Sequence, residues 1–169
     1  MDLDGAEVLY SQAPGTPIRG KALSEALRQL IRRASSSIVI CSCEFTSKAD
    51  FILNEEITYQ LKRNREVRVF GNHPDQMEDM MDEYGDQGLR AYHWVRPKEA
   101  RKGSLFHIKA ITVDGNWIYI GSANMSSNAM DNSVEWGVIA QSPELCMDLN
   151  DYVSELLSTG LFKEVSRGM

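Results

Sequence analysis

Apolar positions along this chain switch between two periods, near 3.6 and near 2 residues, and the switches mark out its elements. Leu23, Leu27, Leu30 and Ile31 fall at helical spacing, which predicts an amphipathic helix over 21–34. Ahead of it lie a short apolar segment, Glu7 to Tyr10, and a Pro14-Gly15-Thr16-Pro17 loop. Ser36 to Phe45 reads as β, Asp50 to Asn64 as a second helix, and Val67 to Phe70 as a strand. Pro74 to Tyr84 then reads as a third helix, closed by Gly85. Leu89 to Trp94 is a further strand, a hairpin follows, Val134 to Ala140 is strand-like, and Pro143 to Leu157 has the pattern of a final helix. Strands alternating with helices predict an α/β fold, a mixed sheet flanked by helices on both faces. No internal repeat divides the chain, so residues 1–169 are expected to form one domain.

The hairpin concentrates the polar signal. His107 and Lys109 alternate with Phe106, Ile108 and Ala110, so a strand through them aims both polar groups to one side. Asp114-Gly115-Asn116 is a hairpin signal, and a two-residue loop at Gly115-Asn116 sets Asp114 opposite Trp117. The same register brings Ser122 opposite Lys109 and Asn124 opposite His107. A nucleophile or base, a cation, a hydroxyl and a carboxamide thus converge, a set suited to handling phosphate.

Composition narrows the partners. A chain 43% hydrophobic and 25% charged can bury a full core. It has no apolar run of membrane-spanning length, and its first residues lack the basic-then-apolar order of a secretory leader; a soluble, cytoplasmic protein is expected. Three cysteines argue against a disulfide framework, and Cys41-x-Cys43 lacks a second pair to complete a metal site. The net charge of −6 opposes a generic nucleic-acid binder. Its distribution does not: Arg90, Arg96, Lys98, Arg101, Lys102 and Lys109 crowd toward the hairpin, whereas Asp75, Glu78, Asp79, Asp82, Glu83 and Asp86 lie on another segment. Residues 95–104 are expected to be a mobile loop leading into the polar strand, with Arg96, Lys98, Arg101 and Lys102 as substrate contacts and Trp94 available for stacking on a base. The acids of the third helix read as its wet face, Met77, Met80 and Met81 as its packed face, and His73 and His93 as structural. No metal or cofactor is expected.

Residues 107 to 124 follow, position for position, the pattern HxKxxxxDxxxxxxGSxN, and Asp131-Asn132-Ser133-Val134-Glu135 continues it with an Asn-rich stretch ending in a Glu. In this the chain resembles the phospholipase D superfamily. One motif copy places the resemblance in the single-motif branch of small bacterial endonucleases and Zucchini-type enzymes, whose members build one site across a homodimer.

The resemblance implies a chemistry that needs no metal. His107 attacks phosphorus to give a phosphohistidine, while His107 of the partner subunit protonates the leaving oxygen and then activates water. Lys109 and Asn124 hold the nonbridging oxygens, Ser122 assists through a hydrogen bond, and Glu135 orients the His107 ring by accepting from its other nitrogen. Two imidazoles sharing one phosphate titrate as a pair, which implies a bell-shaped pH profile. Asp114, although part of the motif, sits too far along the strand for proton transfer and reads as an anchor of the turn.

Three functions stay open. The expected one is a phosphodiesterase that cuts DNA or RNA at a homodimer's active-site face. A second keeps the chemistry on a phospholipid, since Lys21, Arg28, Arg32 and Arg33 flank the leucine stripe of the first helix as on a membrane-surface helix. A third is an inactive dimerising or nucleic-acid-binding module of a larger protein.

Overall fold

The computed structural model describes residues 5–11, 15, 21–46 and 53–166. Its sheet has nine strands: β1 (Glu7–Tyr10), β2 (Lys21–Ala22), β3 (Ser37–Cys41), β4 (Glu66–Gly71), β5 (Leu89–Trp94), β6 (Ala110–Val113), β7 (Trp117–Gly121), β8 (Trp136–Gln141) and β9 (Phe162–Glu164). Their order across the sheet is β2-β1-β8-β7-β6-β3-β4-β5-β9. β3, β4 and β5 run parallel, while β6, β7, β8 and β1 alternate in direction beside them, so the sheet is mixed, as the pattern predicts.

Helices α1 (Leu23–Arg32), α2 (Asn54–Leu61), α3 (Pro74–Tyr84) and α4 (Ser127–Asp131) belong to one face of the sheet, and α5 (Pro143–Ser158) covers the other. The leucine stripe of α1 is buried through Leu23, Leu27, Leu30 and Ile31 against Ile38, Ile40 and Ile111 of the sheet. That stripe is core rather than a membrane-facing surface, and no helix among the described residues is long and apolar enough to cross a bilayer. Met77 and Met80 are buried in the same core, with Met81 packed beside them, while Glu78 and Asp79 are exposed. On the far face, Cys146, Leu149, Val153 and Leu156 of α5 pack with Phe70, Tyr92, Phe106 and Phe162. β3 lies between the two layers, which is why four of its five residues are fully buried. The cysteines are free and buried, and burial pushes the Cys41 thiol up to about 12.

Departures from the predicted elements are local. The first helix starts at Leu23, behind two residues that pair with β1. α2 begins at Asn54; positions 50–52 of the predicted second helix lie outside the described residues, as does the predicted loop at 14–17 apart from Gly15. β6 begins at Ala110, so His107 and Lys109 stand just ahead of the strand rather than within it. The hairpin loop holds three residues instead of two: Asp114 and Gly115 both adopt left-handed backbone, the Asn116 amide closes on the Val113 carbonyl at 3.0 Å, and Val113 pairs with Trp117. Gly121, not Ser122, is therefore level with Lys109, donating to its carbonyl at 3.2 Å.

The cause of this shift is the Asp114 carboxylate. It accepts from the backbone amides of Ser35, Ser36 and Ser37 at 2.8–3.2 Å and from the hydroxyls of Ser35 and Ser36. Drawn toward the α1–β3 connection, Asp114 joins the turn instead of the ladder. Burial opposes its ionisation, but the Ser37, Ser35 and Ser36 hydrogen bonds outweigh burial and hold the carboxyl well below the usual range.

Candidate active site

The carboxyl ends of β3, β4 and β5 share one rim of the sheet with the start of β6, the end of β7 and the start of β8. Ligand crevices in α/β sheets open at such rims. His107 and Lys109 precede β6, Ser122 and Asn124 follow β7, and Glu135 precedes β8, so five of the six motif residues stand on this rim. Asp114 is at the opposite end of β6 and serves the turn.

His107 is exposed and Lys109 is buried, only 8% accessible. The Lys109 ammonium lies 2.9 Å from Nε2 and 3.0 Å from Nδ1 of His107, and donates to the His107 carbonyl at 3.3 Å. Near-equal distances to both nitrogens put the cation over the ring rather than in line with either lone pair. An anionic oxygen that reaches His107 therefore meets a fixed positive charge with little water around it. Among the described residues no carboxylate pairs with Lys109.

Ser122 and Glu135 form a second pair. The Ser122 hydroxyl donates to Glu135 Oε2 and accepts from the Trp136 amide at 3.1 Å. The expected hydrogen bond from His107 to Glu135 is not formed within the chain. Instead the β7–β8 pairing, Gly121 with Gly137, sets Ser122 beside the start of β8, where it takes the carboxylate. The backbone of Glu135 is held in turn by Ser11, whose hydroxyl accepts from the Glu135 amide at 3.1 Å and donates to the Ser133 carbonyl at 2.8 Å.

Asn124 sits on a crossing segment. Past Ser122 the chain leaves β7 and passes the mouth of β6 to reach the extension of β3, where Met125 bridges Phe45 and its amide donates to Ser42 Oγ at 2.9 Å. Asn124 Nδ2 then lies 3.5 Å from Glu44 Oε2. Glu44 was not singled out from the sequence, though a lone acid inside the apolar run from Ser37 to Phe45 is a visible signal. Burial chiefly raises the Cys43 thiol, Lys109 lowers it and Glu44 raises it, which puts both charges around the end of β3. Asn72, buried just past β4, also borders this rim through hydrogen bonds to both the amide and the carbonyl of Phe106; a carboxamide just past a buried parallel strand is its signal in the sequence.

The predicted contact residues divide. Residues 95–104 form two turns, closed by Ala100 onto Pro97 at 3.1 Å and Ser104 onto Arg101 at 3.0 Å, the second with Gly103 at positive φ. Arg96, Lys98, Arg101 and Lys102 are exposed and make no ion pair among the described residues. Arg90 is committed elsewhere, in a two-pronged pair with Glu164 at 2.7 and 2.9 Å. Trp94 is half-buried: it packs edge-on against Phe162 at 5.6 Å and tilted against Phe106 at 6.3 Å, against the edge of the second core.

A family model described as "Cardiolipin synthase, PLD-like domain" matches residues 27–157. Among solved structures the chain is similar to Nuc, a phospholipase D family member from Salmonella typhimurium, with a TM-score of 0.71 and 18% identity over 97% of this chain and 99% of that one. It is also similar to NucT from Helicobacter pylori, with a TM-score of 0.64 and 20% identity over 79% and 86%. Phosphatidylserine synthase from Haemophilus influenzae matches 95% of this chain with a TM-score of 0.70 and 15% identity, but the match spans 39% of that longer chain. No curated protein gave a significant match. At these identities the structures speak for the fold, and the family model covers well over half of the sequence: the chain belongs to the phospholipase D-like family.

Proposed function

We propose that this protein is a metal-independent nuclease that cuts DNA or RNA through a phosphohistidine at His107, with its site completed by a second copy of the chain. The observation that carries the reading is an exposed imidazole with a buried ammonium 2.9 Å from its ring, an ammonium with which no carboxylate among the described residues pairs. A phosphodiester repels nucleophiles through its anionic oxygens, so attack needs an uncharged nucleophile and a fixed cation. In the first step a His107 ring nitrogen bonds to phosphorus, the ester P–O bond breaks, and the leaving oxygen takes a proton from His107 of the partner subunit. In the second, that same ring takes a proton from water, the hydroxide attacks phosphorus, and the P–N bond breaks to release a phosphomonoester. Lys109 and Asn124 hold the nonbridging oxygens, and Ser122 and Glu135 brace the neighbouring rim. The exposed charges of 95–104 supply the phosphate-tracking surface.

A phospholipid is the second reading. It is favoured by the matching family's description and by a patch that α5 leaves bare on its face of the sheet, where Val8, Ile120 and Trp136 are 41%, 45% and 52% exposed. One panel separates the two. Single- and double-stranded DNA, RNA and anionic phospholipid vesicles are incubated with the protein in EDTA, with His107→Ala alongside. Cleavage of nucleic acid that survives chelation and vanishes in the variant is the expected result. Lipid turnover alone would select the second reading, and cleavage retained by His107→Ala would remove His107 from the chemistry.

A further inference from the structure

We infer that Asn72 is the positioning residue that aims His107, acting through the peptide on its amino side; this rests on the reading of His107 as nucleophile. Asn72 follows β4 directly and is only 8% exposed. Its Oδ1 accepts from the Phe106 amide at 2.8 Å, and its Nδ2 donates to the Phe106 carbonyl at 2.6 Å. That reciprocal pair is what one residue of a β-ladder gives another, here supplied by a side chain. It stands where the ladder has run out, since β3 and β6 pair only from Cys41↔Ala110 inward.

The consequence for His107 is geometric. The Phe106 carbonyl belongs to the same planar peptide as the His107 nitrogen, so fixing one orients the other. Fixing the Phe106 amide as well locks the peptide before it. Asn72 Nδ2 also reaches the Cys43 carbonyl at 3.1 Å and Cys43 Sγ at 3.2 Å, which ties the clamp to the end of β3. The Phe106 ring is pinned independently, edge-on to Phe162 at 4.9 Å. An exposed side chain thus projects from a backbone held on two sides. A nucleophile that must sit in line with a leaving group depends on such fixing, and misplacement by about 1 Å costs up to roughly a hundredfold in rate.

The test compares Asn72→Ala, Asn72→Asp and Cys43→Ala with the wild-type protein on whichever substrate the panel above identifies. Nitrogen-15 spectra of the imidazoles are recorded for each, His107 being assigned by its loss in His107→Ala. Asn72→Ala is expected to lower kcat roughly tenfold to a hundredfold with KM within about twofold, and to shift or broaden the His107 signals. Asn72→Asp keeps the shape and the acceptor for the Phe106 amide but turns an oxygen toward the Phe106 carbonyl. It is expected to fold and to lose at least about tenfold in kcat, which serves if the alanine variant does not fold. Cys43→Ala leaves the Phe106 clamp in place and is expected to keep kcat. Asn72 variants with wild-type kcat and unshifted His107 signals, whatever their melting temperature, would reduce Asn72 to scaffolding. If the wild-type protein turns over none of the substrates, the nuclease reading fails separately, and the His107 spectra alone decide the positioning role.

Discussion

Single side chains decide both the chemistry and its support here. Lys109 is buried against the ring of an exposed His107, a placement that on the proposed mechanism stabilises charge building on phosphate oxygens. Lys109→Ala is expected to lower kcat by roughly 10²- to 10³-fold with a smaller change in KM, measured by steady-state cleavage; a variant with normal turnover would take Lys109 out of the mechanism. Gly121 supports the same rim sterically. A Cβ there would meet the Tyr119 hydroxyl and approach the Trp136 carbonyl to 2.8 Å, because the Tyr119 ring lies across Gly121 and Gly137. Gly121→Ala should cost about 1–3 kcal/mol in urea unfolding. The motif residues were legible as types and spacing, since polar groups in an apolar run stand out. Their partners were not: Glu135 on Ser122 rather than His107, and Trp94 against Phe162, depend on neighbours that are distant in sequence.

Elements carry the effects that no single contact does. α1, α3, β5 and α5 follow their apolar periodicity closely because each buries one continuous stripe or both faces. β9 and α4 escaped the sequence reading, one being three residues long and made by pairing with β5, the other a five-residue helix capped by Ser126. The hairpin register was misread by one residue because a carboxylate's pull toward three serine amides outweighs the turn preference of Gly115-Asn116. Asp114→Asn should therefore destabilise the protein by about 2 kcal/mol near neutral pH. The carboxyl titrates lower folded than unfolded, so its contribution is whole above about pH 4 and drains away as pH falls toward the folded value. Urea unfolding in progressively more acid buffer should show the wild-type advantage shrinking; a gap independent of pH would contradict the carboxylate's role. In the loop 95–104, replacing Arg96, Lys98, Arg101 and Lys102 together by Ala should flatten the salt dependence of nucleic-acid binding by up to about four phosphate contacts.

Across the whole molecule, the proposed chemistry asks for two motif histidines and each chain supplies one, His107. Sedimentation at working concentration is expected to find a dimer, and a monomer with full activity would refute the shared site. How such a dimer is put together is constrained by the outermost strands. β2 has two residues and β9 three, the latter carrying Lys163 and Glu164. So few free backbone donors and acceptors give an incoming strand almost nothing to zip onto. Among the described residues, both borders of the sheet are thus poor templates for growth by sheet extension. On the shared-site proposal, copies of this chain are then expected to meet through side chains rather than through strand pairing.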